Sequence, residues 1–233
     1  MRPMILAVAI AALLSACGQP EAATRVDPAF GAKVRAYLLA NPEVLVEVSN
    51  ALKIKQSREA IGAYRQQLER DPRDRVLNPS GKVTVVALFD YNCGYCKVIA
   101  PEVLELARTH PQVRFVFKDM VIFGDTSAFA AAATALAKSP EQYVALHRAF
   151  MAAKPLNNEV AARIMTAQGI DPAAARAEQA SAERKRYFQD VHVVASGLGI
   201  EGTPAFIIGD TLIPGADPEA LKAAIAAELR KKG

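Results

Sequence analysis

The stretch VTVVALFDYNCGYCK, residues 83–97, decides how this chain folds. Its first seven residues, Val83–Phe89, are apolar and rich in β-branched side chains, which predicts a buried strand. From Lys97 to Thr109, apolar residues recur at helical spacing. The Cys-x-x-Cys motif formed by Cys93 and Cys96 therefore lies where a strand gives way to a helix.

The position of this motif predicts thiol chemistry. The first turn of a helix has unpaired N–H groups and the positive end of the helix dipole, and both favour the thiolate of Cys93 over the thiol. Because only two residues separate Cys93 from Cys96, the two sulfurs can reach each other and form a disulfide. We therefore predict a redox-active pair.

Two other uses of the motif are less consistent with the chain. A zinc site needs further ligands at short spacing, whereas His110, His147 and His192 stand singly and there is no second cysteine pair. A purely structural disulfide would gain little stability from closing so short a loop. Neither a metal site nor a cofactor is expected.

The first residues indicate export. Residues 1–16 combine a positive start with the apolar run Met4–Leu14, which is too short to span a bilayer and is typical of a signal peptide. The residues Leu14–Cys17 resemble a bacterial lipobox, in which Cys17 is acylated and becomes the first mature residue. The alternative is an unlipidated secreted protein that is cut nearby. Residues 17–26 would form a tether, and the sequence leaves open which bacterial membrane holds the lipid.

Cysteine usage agrees with export. The chain has three cysteines, an odd number that is awkward in an oxidising compartment because a lone thiol can pair with another molecule. Acylation of Cys17 removes one thiol and leaves only the pair Cys93 and Cys96. Disulfides form and exchange in such a compartment, so the predicted location suits the predicted chemistry.

Composition sets the broad class. With 233 residues, of which 52% are hydrophobic, the chain can bury one substantial core and carry an appended element. The net charge is +4, and basic residues are concentrated only in Glu183–Arg186, which a helix surface explains. Nucleic-acid binding is therefore not expected.

An N-terminal helical arm is predicted for residues 27–72. Asp27 and Asn41 each precede a proline, as N-caps of helices do, and apolar residues then recur at helical spacing to about Arg70. Charged and polar residues interrupt this stripe, so it is not a clean heptad repeat. The pattern alone favours neither docking on the chain's own core nor pairing with other copies.

The rest of the chain predicts an α/β domain over residues 78–231. The expected elements are a second strand at 112–118, helices at 127–138, 140–153, 158–168 and 172–197, a hairpin of Thr203–Ile208 and Thr211–Ile213, and a last helix at 218–231. The order is that of a thioredoxin fold with an inserted helical subdomain at about 125–196, preceded by the N-terminal helical arm.

Several segments resemble known families. FDYNCGYCK (89–97) and GIEGTPAF (199–206) are similar to the two signature segments of DsbA-family thiol:disulfide oxidoreductases. Asp125–Ser127, followed by an alanine-rich helix, also resembles that family, and the similarity covers about 78–230. Upstream, VRAYLLANPEV (34–44) resembles the N-terminal domain of the ScsC group. In that group the arm can mediate homo-oligomerisation, including trimers.

The DsbA resemblance implies roles for four residues. Cys93 would be the solvent-facing nucleophile, and Cys96 would be the buried resolving thiol of the redox disulfide. Thr203 and Pro204 would be joined by a cis peptide that faces the disulfide and binds substrate, since an extended peptide can pair with the backbone of Thr203.

The resemblance also indicates a direction for the chemistry. The dipeptide Gly94–Tyr95 differs from that of strongly oxidising members, and Thr203 before the proline is more similar to isomerase-like members. We therefore expect a periplasmic disulfide isomerase or reductase that acts on protein thiols and disulfides and is reset by a membrane redox partner. The alternatives are a dithiol oxidase, a copper-handling protein that uses the same thiols, and a lipoprotein whose arm is its main functional part.

Overall fold

A computed structural model describes residues 27–232 of the chain. The chain divides into a unit that ends at Ala51 and a unit that begins at Leu52. The predicted signal peptide, the lipidation site Cys17 and the tether lie outside the described residues. Within residues 27–232, none of the helices combines the length and the apolarity that crossing a bilayer requires.

The described residues of the first unit, 27–51, are mostly helical. Helix α1 (Pro28–Ala40) begins after Asp27, whose carboxylate accepts a 3.0 Å hydrogen bond from the backbone N–H of Ala29. Helix α2 (Glu43–Glu69) begins in this unit, and no residue of α1 is buried. Both helices predicted for the arm are therefore present.

The second unit contains a five-stranded sheet and most of the helices. The strands are β1 (Arg75–Leu77), β2 (Val83–Phe89), β3 (Val113–Asp119), β4 (Ala205–Ile208) and β5 (Thr211–Pro214). The helices are α3 (Gly94–Thr109), α4 (Asp125–Ala135), α5 (Pro140–Ala152), α6 (Asn158–Ala167), α7 (Pro172–Ala180), α8 (Ala182–Gly197) and α9 (Pro218–Lys232).

Strand β2 lies at the centre of the sheet, whose order is β1-β3-β2-β4-β5. It pairs in parallel with β3 and antiparallel with β4, and β5 returns antiparallel to β4. Between β3 and β4 the chain forms the five helices α4 to α8. This is the predicted thioredoxin-like fold with a helical insertion.

The two faces of the sheet carry two hydrophobic clusters, because successive side chains of a strand point to opposite faces. Val85 and Ala87 join one cluster with residues of α3, α4, α5 and α9. Val86 and Leu88 join the other with residues of α8 and with Ile61 from the part of α2 that belongs to the second unit. Strand β2 is therefore buried on both faces, as its continuous apolar run predicts.

The hairpin of β4 and β5 confirms the turn expected at Gly209–Asp210. Ile208 lies opposite Thr211, and Gly209 has a φ of 59°, in the left-handed region that glycine adopts readily. A Cβ atom at Gly209 would also lie 2.7 Å from the carboxyl carbon of Glu228. The Glu228 carboxylate is the end of a flexible side chain and can move, so the backbone conformation is what favours glycine here.

Two local predictions need correction. The single helix expected over 172–197 is interrupted at Ser181, whose extended backbone ends α7 and whose hydroxyl accepts a 3.0 Å bond from the Arg184 N–H to begin α8. The edge strand β1 was not predicted at all, since its three residues carry no alternating pattern. It pairs antiparallel with β3 and completes the sheet.

Candidate active site

Sheet topology brings the two signature segments together. Strand β4 runs antiparallel to β2, and Ala205 lies opposite Leu88. The residues that follow β2 therefore lie beside the residues that precede β4. As a result, Cys93 and Thr203 lie close together at the same end of these two neighbouring strands, although they are far apart in sequence.

Cys93 occupies the N-cap position of α3. Its Sγ accepts a hydrogen bond from the backbone N–H of Cys96 at 3.4 Å and donates one to the carbonyl oxygen of Thr203 at 3.1 Å. Both cysteines are free thiols. The sulfur of Cys93 is thus held between a backbone donor from its own helix and a backbone acceptor from the loop before β4.

The burial of Cys93 differs from the expectation. The resemblance implied a solvent-facing side chain, whereas Cys93 is 4% exposed and Cys96 is 1% exposed. The difference arises because the Cys93 thiol turns towards the Thr203 carbonyl instead of into solvent. Burial raises the pKa of the Cys96 thiol well above its ordinary value.

The peptide bond between Thr203 and Pro204 is cis, which confirms the conformation that the resemblance implied. The Thr203 carbonyl faces Cys93, and Pro204 lines a small cavity together with Cys96. The Thr203 hydroxyl oxygen is buried and has no hydrogen-bond partner among residues 27–232. Both residues therefore lie at the thiol pair.

Asp90 directly follows β2 and is a further residue of the site, although the sequence analysis does not assign it a catalytic role. It is 2% exposed, and its carboxylate accepts four hydrogen bonds. The donors are the backbone N–H of Asn92 at 2.7 Å, Ile122 at 2.8 Å and Phe123 at 3.0 Å, and the hydroxyl of Ser127 at 2.6 Å. The Asp90 carboxylate therefore caps its own turn at Asn92 and also binds two distant segments. Asp90 fixes the loop that carries Cys93 to the loop that follows β3.

Lys97 directly follows the motif and lies in the first turns of α3. Its ammonium donates a hydrogen bond to the carbonyl of Ala153, the residue that caps the C-terminus of α5. Burial lowers the pKa of Lys97. This side chain therefore binds the end of α5.

Exposed apolar side chains lie beside the thiol pair. Tyr95 and Val98 project from the first turns of α3 and are 72% and 68% exposed. Phe123 is 53% exposed, and its loop is held against the motif by Asp90. Apolar surface of this kind is typical of a binding site for another protein.

The described residues do not bring together a group of three His, Cys, Asp or Glu side chains that could hold a metal ion.

Comparisons with known families match both parts of the chain. Residues 84–226 match the DSBA-like thioredoxin domain, and residues 28–59 match the N-terminal domain of the copper resistance protein ScsC. No protein of curated function matches the chain significantly in sequence.

Several solved structures are similar to this chain. A linker-deletion mutant of Proteus mirabilis ScsC is 27% identical with a TM-score of 0.73, over 90% of this chain and 99% of that one. A thioredoxin-like oxidoreductase from Silicibacter pomeroyi is 35% identical with a TM-score of 0.66, over 71% and 98%. A periplasmic thioredoxin-like protein from Salmonella enterica serovar Typhimurium is 27% identical with a TM-score of 0.65, over 72% and 97%.

Proposed function

Since this chain belongs to the family of DSBA-like thioredoxin domains and is a thiol–disulfide oxidoreductase of the ScsC type, we propose that it acts as a disulfide isomerase or reductase on proteins in the periplasm. The observation that carries this proposal is the position of the Cys93 sulfur between the Cys96 N–H and the Thr203 carbonyl. A sulfur at a helix N-cap is stabilised as thiolate by the N–H groups and the dipole of that helix.

The proposed reaction begins when the Cys93 thiolate attacks a substrate disulfide. A bond forms between Cys93 and one substrate sulfur, and the other substrate sulfur leaves as a thiolate. Cys96 then attacks the Cys93 sulfur, which forms the Cys93–Cys96 disulfide and releases the reduced substrate. In isomerisation, a second substrate thiol attacks the mixed disulfide instead and regenerates free Cys93.

The surface around the thiols supports protein substrates of varied sequence. Tyr95, Val98 and Phe123 offer exposed apolar area next to Cys93, which suits partly unfolded chains. The backbone of Thr203 gives an extended segment a place to pair. Contacts to backbone and to general apolar surface do not select one sequence.

The direction of exchange rests on the motif residues. Gly94–Tyr95 between the cysteines and Thr203 before the proline favour isomerase or reductase activity over dedicated oxidation. The alternative, a dithiol oxidase, predicts a higher reduction potential. Equilibration with glutathione buffers distinguishes the two, because an oxidant would have a potential nearer that of DsbA, about −120 mV, than that of thioredoxin, about −270 mV.

The principal test compares single cysteine variants. Cys93→Ser is expected to abolish insulin reduction and the repair of scrambled ribonuclease, because no mixed disulfide can form. Cys96→Ser is the matched control, since it should still form the mixed disulfide at Cys93 and accumulate it. Full activity in Cys93→Ser would refute the assignment of the nucleophile.

We extend the proposal to self-association through the arm. In residues 27–51 several large apolar side chains are exposed, among them Phe30, Tyr37, Leu39 and Val46. Exposed apolar area of this extent is typical of an interface, and the match of residues 28–59 to the ScsC N-terminal domain supports homo-oligomers, including trimers.

Sedimentation of the mature protein tests this assembly. Leu39→Asp places a charge in the proposed interface and is expected to reduce the mass to that of a monomer, whereas Lys33→Asp on the same helix is the matched control and should not. Exchange with a small disulfide should be unchanged in both variants. An unaltered oligomer in Leu39→Asp would contradict a role for this face.

The remaining proposal concerns location. A lipid on Cys17 would anchor the protein to a bacterial membrane on its periplasmic side, where a membrane redox partner could reset the thiols. Mass spectrometry of the N-terminal peptide from membranes is expected to show an acylated Cys17. In Cys17→Ser the protein should appear without lipid. An unmodified Cys17 peptide from wild-type membranes would contradict the anchor.

A further inference from the structure

Basic residues gather at the end of the sheet opposite the thiols. Lys82 directly precedes β2, whereas Cys93 lies beyond the other end of that strand. A strand of seven residues is about 20 Å long, so these two ends are well separated. We define the basic end as five cationic side chains at the Lys82 end of the sheet: Arg70, Lys82, Arg114, Arg230 and Lys232.

Hydrogen bonds between neighbouring elements bring these side chains together. The ammonium of Lys232, in the last turn of α9, donates to the Lys82 carbonyl at 2.9 Å. Arg114 lies at the start of β3, which pairs in parallel with β2, and its guanidinium donates to the Glu69 carbonyl at 2.8 Å. Arg70 directly follows Glu69 at the end of α2. The basic end is therefore assembled from the sheet, α9 and the end of α2.

The acidic side chains around the basic end do not neutralise it. Glu69 and Asp210 both pair with Arg65, at N–O distances of 2.9 and 2.5 Å. Glu228 pairs with Lys231 at 2.5 Å. Each of these acids already has its own cation, and the five residues of the basic end form no ion pair within residues 27–232. Their positive charges are therefore uncompensated there.

The charges of the basic end are also open to a partner. Lys82, Arg230 and Lys232 are exposed. The hydrogen bonds of Lys232 and Arg114 go to neutral carbonyls, which leave the positive charges in place. Burial and the nearby charge of Arg70 lower the pKa of Arg114, as expected where like charges gather. An anionic partner would relieve this repulsion.

The segment around the cis peptide is acidic instead. From residue 199 to residue 221 the chain contains acidic residues but neither lysine nor arginine. Within this segment Glu201 precedes the cis peptide, and Asp217 follows β5, whose end at Pro214 lies opposite Ala205. Both acids are exposed. The cis-peptide side of the thiol site therefore presents acidic and not basic side chains.

We propose that the basic end docks this domain on the anionic phospholipid headgroups of a bilayer and so directs the thiols away from the membrane. The proposal rests on the proposed periplasmic location but not on thiol exchange. Headgroup phosphates attract lysine and arginine, and each basic residue near an anionic surface strengthens binding. The same surface repels the exposed acids beside the cis peptide, so both kinds of charge favour one orientation. Substrate proteins in solution then reach Cys93 unhindered.

Vesicle flotation measures this docking without the lipid anchor. The mature chain is prepared without its signal peptide and with Cys17→Ser, so that it carries no acyl group. We expect it to float with vesicles of phosphatidylcholine and phosphatidylglycerol in equal amounts at low ionic strength, and not with vesicles of phosphatidylcholine alone. In about 1 M salt, where the Debye length is about 3 Å, binding should disappear. Equal flotation with both kinds of vesicle, or none with the anionic kind, would overturn the proposal.

A triple variant tests whether this surface is the one that binds. Lys82→Gln, Arg230→Gln and Lys232→Gln together should lower the affinity for the anionic vesicles about a hundredfold, since each basic residue near such a surface contributes about fivefold. Glutamine keeps these exposed positions polar, so the fold should be retained.

Three exposed cations on the helical insertion provide the matched control, Lys138→Gln with Lys185→Gln and Arg186→Gln. This variant loses the same charge, but it should keep its affinity within about threefold, because charges farther than a Debye length from the membrane are largely screened. Equal losses of affinity in the two triple variants would show that net charge alone drives binding and would overturn the proposal.

Thiol reactivity on vesicles tests the orientation. A small water-soluble disulfide should react with Cys93 at the same rate in the bound and in the free protein, because the thiols face solution. A several-fold slower reaction on vesicles would place the thiols against the membrane and contradict the proposal. Flotation itself requires neither thiol exchange nor acylation. A protein whose Cys93 never reacts would overturn the proposed function, and an unacylated Cys17 would overturn the anchor, while flotation alone decides whether the basic end docks.

Discussion

The Ser127 hydroxyl donates a 2.6 Å hydrogen bond to the Asp90 carboxylate and thereby joins helix α4 to the loop that carries Cys93. The same carboxylate holds the backbone of Ile122 and Phe123. The helical insertion is therefore connected to the thiol site by a buried acid whose hydrogen-bonding capacity is occupied. This arrangement makes Asp90 a positioning residue for the motif.

Asp90→Asn is expected to destabilise the protein and to slow thiol exchange. An amide presents a donor where the carboxylate accepts, so at least one backbone N–H would be left unpaired. The expected loss of unfolding free energy is about 2–4 kcal/mol in urea titrations. Reaction of Cys93 with a small disulfide should slow several-fold, because the loop is no longer fixed.

Ser139→Ala is the control for this effect. It removes the N-cap hydroxyl of α5 and should cost about 1 kcal/mol of unfolding free energy. Its thiol exchange should equal that of wild type. If the thiol exchange of Asp90→Asn also equalled that of wild type, this would contradict the role of Asp90 in positioning Cys93. Its hydrogen bonds would then stabilise the fold alone.

Replacing threonine by valine is expected to have opposite effects on the free energy of unfolding at two buried positions. The Thr203 hydroxyl has no partner among the described residues, whereas the Thr134 hydroxyl donates to Ala131 and accepts from Tyr91. Thr203→Val is therefore expected to raise the unfolding free energy by up to about 1 kcal/mol, and Thr134→Val to lower it by about 1–3 kcal/mol. If urea titrations showed that both variants lose the same amount of unfolding free energy, this would contradict the difference in hydrogen bonding between the two hydroxyls.

Substitutions of Lys118 and Asp74, which form a buried ion pair, are expected to have strongly non-additive effects on the free energy of unfolding. Its N–O distance is 2.6 Å, and the side chains are 2% and 0% exposed. Lys118→Met leaves the buried Asp74 carboxylate without its counter-ion and with the Tyr187 hydroxyl as its remaining donor. It is expected to cost about 3–5 kcal/mol of unfolding free energy, whereas Lys118→Met with Asp74→Leu should cost much less. Because burial raises the pKa of Asp74 to about 6, the cost of Lys118→Met should fall on acidification. A double variant as unstable as the single one would contradict this account.

Asp119 and His147 predict opposite pH dependences of stability. Burial raises the pKa of Asp119 from 3.8 to about 7, so between these values the folded state binds more protons than the unfolded state and stability falls as pH rises. Burial lowers the pKa of His147 from 6.5 to about 3, so between these values stability rises with pH. Each slope is at most about 1.4 kcal/mol per pH unit.

Urea titrations at a series of pH values test both signs. Relative to wild type, Asp119→Asn should become more stable as pH rises, and His147→Gln should become less stable. The double variant should follow wild type more closely than either single one in the range from 3.8 to 6.5 where the two slopes overlap. Parallel curves for wild type and Asp119→Asn would refute the assigned ionisation.

The sequence was most informative where local pattern and burial agree. Strand β2 was predicted with the bounds that it has, because a strand buried on both faces is a continuous apolar run. The helix over 172–197 was predicted as one, since a single serine within a helical pattern is a weak signal for a break. Strand β1 is defined by its pairing with β3, and its three residues contain no signal of their own.

The thiols could be predicted from the motif, whereas the residues that support them could not. Asp90 is visible as an acid after a strand, but the donors at Ile122 and Ser127 reach it only through the fold. His147 is a single histidine in a helix, and its contacts come from distant elements. Such partners are set by tertiary structure, and no local spacing encodes them.

Strand β2 acquires its two neighbours at very different times during synthesis. Its partner β3 begins at Val113, whereas β4, which completes the other side, begins at Ala205 after all the inserted helices. Until the ribosome has produced β4, one side of this central, buried strand has no backbone partner. An unpaired strand edge can pair with another chain and cause aggregation. We therefore expect the newly made protein to depend on chaperones until its C-terminal hairpin has emerged.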